Sequence, residues 1–205
     1  MPLFGKKSIT EAQAARNFVD EVLPGSLQSW PTVCEKLGSA DPRFRNLRED
    51  KAAAFEFALA IISIQMRALK NLLTEESAHL MEQHIYSVLR NPPSEIVISP
   101  FAEDGTRKMT IDEIGFFGED DRDPNADTRD YPAQSIAIYR QVFDSAIEEG
   151  DTLMSGPGVL LCMRLGLITR DRQYRPEIVQ PLFHYLTILG GTWWKDCLSK
   201  YRISP

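Results

Sequence analysis

The sequence predicts a mainly α-helical protein, a single-domain bundle of about seven helices around one buried central helix. The stretch over 46–73 reads as one long helix that is apolar around more than half of its circumference, and such a helix is normally surrounded by other helices. Apolar residues recur at helical spacing in most other segments, and only 95–117 has the composition of a strand pair. The 205 residues, 1–205, fit one domain.

Two helices are predicted before the central one. Ser8 and Glu11 have the spacing of a capping box, which predicts a helix that begins there and ends at Pro24 and Gly25. A shorter helix over 30–37 follows. The central helix carries a narrow polar stripe opposite its apolar arc. This stripe consists of Glu49, Glu56, Ser63, Arg67 and Lys70.

Four more helices are predicted along the rest of the chain. Thr74 and the acidic residues after it predict a helix that ends near Arg90, antiparallel to the central helix because the connection is short. Pro132 opens the next helix. A short apolar helix over 159–166 comes third. The last helical region contains 182–189, which lacks charged residues and is therefore predicted to be buried.

A β-hairpin is predicted between the helix that ends near Arg90 and the helix that Pro132 opens. The run over 95–99 is β-branched, and an Asp-Gly turn signal follows it, so the sequence predicts a hairpin over 95–117. Thr110 and Glu113 could equally cap a short helix there. Together with the acidic loop after it, the hairpin forms a predicted insertion over 94–130.

The charge of the chain is negative and uneven. The net charge of −6 and the pI near 5.2 argue against nucleic-acid binding, whose affinity rests on neutralising phosphates, and against anionic membrane surfaces. The stretch over 118–130 holds six acidic and two basic residues. No membrane span is predicted, because the longest uncharged apolar-rich run in the central helix, 57–66, has only ten residues, half of what a span needs.

The cysteines and the N-terminal sequence predict a cytoplasmic location. No Cys-x-x-Cys pair occurs, and the N-terminal sequence lacks the apolar core of a secretory signal. The three cysteines are therefore expected to be reduced. They are Cys34, Cys162 and Cys197.

The acidic loop contains a partial calcium-binding pattern. Alternate oxygen-bearing residues match the first half of an EF-hand loop. The second half does not match, because Ala126 stands where the loop needs glycine and Pro132 stands where it needs glutamate. The pattern favours a solvated acidic loop, with a calcium-responsive protein as an alternative and no other cofactor predicted. The candidate ligands are Asp121, Asp123, Asn125 and Asp127.

A polar pocket inside the bundle is another alternative. Gln65 falls in the apolar arc of the central helix, where an unpaired amide would cost about 1–3 kcal/mol, so it either bonds a neighbouring helix or lines a pocket. His84 and His184 could join it and give a helical-bundle enzyme or a small-ligand sensor. Structural roles are the preferred interpretation of all three residues. No nucleophile motif, P-loop or zinc spacing occurs, so the sequence leans against an enzyme.

Two kinds of surface suggest protein binding. Trp193 and Trp194 point about 100° apart on a helix, so both are not expected to be fully buried, and exposed tryptophans are common interface anchors. Packing in the core explains them equally well. Acidic residues of the loop would attract a basic partner. These are Glu119, Asp120, Asp121 and Asp123.

The leading functional prediction is a non-catalytic cytoplasmic protein-interaction module, an adaptor, regulator or inhibitor of another protein. Its predicted partner is a protein with a basic surface. Binding to nucleic acid or to a membrane is not predicted.

Overall fold

The computed structural model describes residues 6–90, 130–148, 156–168, 175–190 and 192–204. These residues contain seven helices of at least eight residues, one five-residue helix and a two-stranded sheet, so the mainly α-helical fold class is confirmed. The predicted hairpin over 95–117 lies outside the described residues. In chain order the elements are β1 (Lys7–Thr10), α1 (Glu11–Leu37), α2 (Arg43–Leu47), α3 (Lys51–Leu72), α4 (Glu75–Arg90), α5 (Tyr131–Glu148), α6 (Gly156–Arg164), α7 (Pro176–Gly190), α8 (Trp193–Lys200) and β2 (Tyr201–Ser204).

Helix α3 is the predicted central helix, and α1, α5, α6 and α7 surround it. It begins at Lys51 and not at residue 46, because Asp50 has extended backbone and its Oδ1 accepts hydrogen bonds from the amides of Ala52 and Ala53. Residues 46 and 47 belong to α2 instead. By length and composition α3 could cross a membrane, but 83% of its most apolar window is buried inside the protein, as in a core helix.

The polar stripe predicted on α3 is largely enclosed. Glu56 and Ser63 are buried, and the Ser63 hydroxyl donates to the carbonyl of Ala60 at 2.6 Å. Arg67 is partly buried and pairs with Asp144 of α5 at 2.7 Å. The sequence did not reveal this enclosure, because the stripe is covered by α5 and α6, which lie far away in the chain and supply its polar partners.

Helix α1 is continuous over 27 residues, although two helices were predicted here. Pro24 and Pro31 lie inside it, where each removes one backbone hydrogen bond. The helix nevertheless continues because it packs along both α3 and α4, with Leu23 and Trp30 fully buried. The Trp30 indole also donates to the carbonyl of Leu47 at 2.8 Å. The burial of apolar side chains before and after the prolines therefore stabilises the helix by more than the two prolines destabilise it.

The two strands join the two ends of the chain in a parallel pair that was not predicted. Lys7 lies opposite Tyr201, and Ile9 lies opposite Ile203. Thr10 ends β1 and also caps α1, in a capping box with Gln13 that replaces the predicted Ser8 box. Strands of four residues are too short to show an alternating pattern in the sequence.

Helix α7 is buried on one side only, contrary to the prediction for 182–189. Leu182 and Leu186 face the core, whereas His184 is exposed and Ile188 keeps 58% of its surface accessible. The helix packs against α3 and α6 along a single stripe, so its apolar composition does not make it a central helix.

Candidate functional site

The residues on either side of 91–129 are joined by an ion pair. Arg90 is the last residue of α4, and Asp130 comes directly before α5. The Nη1 atom of Arg90 lies 2.9 Å from Oδ1 of Asp130. Both side chains are substantially exposed, so the pair contributes at most about 1 kcal/mol. Both ends of 91–129 are thus attached to the helical body at one place.

The stretch over 91–129, here called the acidic segment, carries the whole net charge of the protein. It contains ten acidic and four basic residues, which leaves nineteen of each in the rest of the chain. The helical body is therefore neutral, and the net charge of −6 lies between Arg90 and Asp130.

The two helices that hold the acidic segment are fastened together by a second, better enclosed ion pair. Arg140 of α5 lies 2.8 Å from Glu82 of α4, and both side chains are less than 15% exposed. Burial acts to lower the pKa of Arg140, but the hydrogen bonds and charge interactions with Glu82 and Tyr86 together outweigh burial, and the net direction of the pKa shift is upward. Burial also raises the pKa of Tyr86, which contacts the same guanidinium. This pair fixes α4 against α5 about two turns from the segment.

A fully buried polar cluster joins the central helix to α5 and α6. Oε2 of Glu56 lies 2.7 Å from Nη1 of Arg164 and also accepts from the hydroxyls of Ser135 and Tyr139, at 3.5 and 3.4 Å. Arg164 donates to Ser135 as well, and its guanidinium lies 4.8 Å from the centre of the Tyr139 ring. None of the four is more than 5% exposed.

The enclosure of this buried cluster suits a structural role. Burial raises the pKa of Tyr139 well above its usual value, so the phenol stays protonated and donates to Glu56. A buried carboxylate needs a cation and hydrogen bonds to remain charged, and Arg164 with the two hydroxyls supplies both. The cluster sets the position of α5 from its first turns onward.

A second cluster, around Asp41, was also missed at the sequence level. The buried Asp41 carboxylate accepts from Arg43 at 2.7 Å and from Arg175 at 2.8 Å. The hydrogen bonds from Arg43 hold the pKa of Asp41 well below its usual range. Arg43 also donates to the carbonyl of Leu167 at 2.6 Å. The cluster therefore joins the turn after α1 to the chain between α6 and α7.

The two tryptophans predicted as interface anchors are part of the packing between α1 and α8. Trp194 is only 2% exposed and stacks on Phe18 with ring centres 4.7 Å apart. Within the described residues, its indole nitrogen has no hydrogen-bond partner. Trp193 is partly buried, and its indole donates to Glu21 at 2.7 Å. Burial therefore assigns Trp194 to the core, and Trp193 closes its edge.

The three residues of the predicted pocket have different surroundings. Gln65 is buried and donates to the carbonyl of Leu189 at 3.3 Å, which is the bond to a neighbouring helix that one interpretation required. His84 lines a shallow surface groove between α1 and α4, beside Arg16. His184 is exposed on α7. Nothing in these surroundings supports a shared pocket.

The remaining predicted site residues lie outside the described residues and stay predictions. They are the partner-binding residues Glu119, Asp120, Asp121 and Asp123 and the calcium ligands Asp121, Asp123, Asn125 and Asp127. Within the described part of the chain, no group of three or more His, Cys, Asp or Glu side chains is placed to hold a metal.

All three thiols are free and buried. Burial raises the pKa of Cys34 and of Cys162 to about 12, and it also raises that of Cys197. A thiol with such a pKa holds almost no thiolate at neutral pH, and the thiolate is the nucleophile. These cysteines therefore belong to the packing of the core.

No protein-family model, curated protein or solved structure matches the chain.

The pairing of Arg90 with Asp130 had only a weak sequence signal, namely opposite charges at the two helix ends that border the insertion. Counting charge between those two residues would have assigned the full net charge to the acidic segment.

Proposed function

We propose that this protein is a non-catalytic interaction module that binds the basic surface of another protein through its acidic segment. The observation that carries the proposal is the placement of the whole net charge between Arg90 and Asp130, on a body that is otherwise neutral. The module acts as an adaptor, regulator or inhibitor in the cytoplasm, where the three free thiols would stay reduced.

Electrostatics supports this function in two ways. A concentrated negative charge attracts a positively charged protein over about a Debye length, roughly 8 Å at physiological salt, and so accelerates encounter. A neutral body adds no long-range repulsion against such a partner. Complementary charge also gives selectivity, because an acidic competitor is repelled by the same residues.

The anchoring of the segment supports the proposal further. Glu82 and Arg140 fix α4 against α5, and Arg90 and Asp130 hold the two points where the segment begins and ends. The segment therefore begins and ends on two helices that are paired with each other.

A pull-down with charge variants tests the proposal. The tagged protein is compared with a variant in which carboxylates of the segment become amides: Asp120→Asn, Asp121→Asn, Asp123→Asn and Asp127→Asn. A matched control removes four exposed carboxylates of the body: Glu35→Gln, Glu49→Gln, Glu76→Gln and Glu148→Gln. Captured proteins are quantified by mass spectrometry at low and high salt.

We expect one near-stoichiometric partner that the unmodified protein and the control capture at low salt. High salt and the segment variant should each release it, because both weaken the same charge attraction. Capture of the same partner by both variants in equal amounts would overturn the proposal. So would the absence of any partner at either salt concentration.

A further inference from the structure

We draw no further inference here: the strongest candidate, the exposed apolar patch of Leu72, Ile147, Ile188 and Leu189 at the end of the bundle where α3, α5 and α7 terminate, carries no proposal because nothing in the structure shows what covers it.

Discussion

The two ion pairs at Glu56 and at Arg90 have the same chemistry and opposite surroundings. Glu56 and Arg164 are less than 5% exposed and share hydrogen bonds with two hydroxyls, whereas Arg90 and Asp130 are about half exposed. In the interior, the carboxylate depends on its partners, and losing one leaves a buried charge. On the surface, water replaces a lost partner. Burial therefore makes one pair essential to the fold and leaves the other to mark where the acidic segment is attached.

The largest effect is expected from breaking the buried pair. Arg164→Met leaves Glu56 without its cation and should reduce the free energy of unfolding by about 3–5 kcal/mol. Urea denaturation measures this change. The double variant Glu56→Leu with Arg164→Met should recover only part of the loss, because it removes the uncompensated charge but leaves the buried hydroxyls of Ser135 and Tyr139 without these partners. If Arg164→Met alone reduced the free energy of unfolding by less than about 1 kcal/mol, the buried pair would be no more important to stability than an exposed one, which would contradict this account.

The enclosure of the interior can be tested through the thiols. With the pKa of Cys34 and Cys162 near 12, their thiolate fraction at pH 8 is about a thousandfold below that of an ordinary cysteine. Ellman's reagent should therefore label them in urea and leave them unmodified in the folded protein. Rapid labelling under native conditions would show that the interior is open to solvent, and a free small-molecule thiol serves as the reference.

Asp41 gives an intermediate case, because its carboxylate is buried but its arginine partners are partly exposed. Asp41→Asn should cost about 1–2 kcal/mol at neutral pH. The folded pKa is depressed, so the charged form adds stability above the unfolded pKa of about 3.9, and this contribution disappears as pH falls through the folded pKa. The difference in free energy of unfolding between the two proteins should therefore stay constant from pH 7 to about 5 and shrink below pH 4. A constant difference down to pH 2 would contradict this.

The smallest effect is expected at the surface pair. Asp130→Asn should change the free energy of unfolding by less than about 1 kcal/mol, and by still less in 1 M salt. Thermal denaturation at two salt concentrations measures both values. The exposed i,i+4 pair of Arg16 and Asp20 gives a matched control through Asp20→Asn. A loss as large as that of Arg164→Met would mean that the anchor of the acidic segment is also part of the fold.

The sequence predicted those features that depend on neighbouring residues. The apolar arc identified α3 as the buried helix, and Gly166, with a φ of +67°, follows α6 at the point where the predicted helix over 159–166 ends. The net charge of the acidic segment follows directly from a count of its acidic and basic residues. Gln65 was recognised as a buried amide, but its acceptor on α7 is 124 residues away in the chain.

The features that the sequence could not give depend on distant partners. Glu56 was predicted only as part of a polar stripe, because its cation, Arg164, lies 108 residues further on. Pro24 looked like a helix end because the packing of α1 on α3 and α4 is not visible locally. Trp194 is in the core because Phe18 provides a stacking surface from the other end of the chain. In each case tertiary contacts outweighed a correct local signal.

The most direct test of the proposed function is removal of the acidic segment. Because Nη1 of Arg90 lies 2.9 Å from Oδ1 of Asp130, a Gly-Ser linker that spans the length of these two side chains can replace 91–129 without moving α4 or α5. The melting temperature should then stay within about 4 °C of the unmodified protein, while calorimetric titration shows that binding of the partner captured in the pull-down is lost. A folded, shortened protein that binds this partner with undiminished affinity would contradict the proposal.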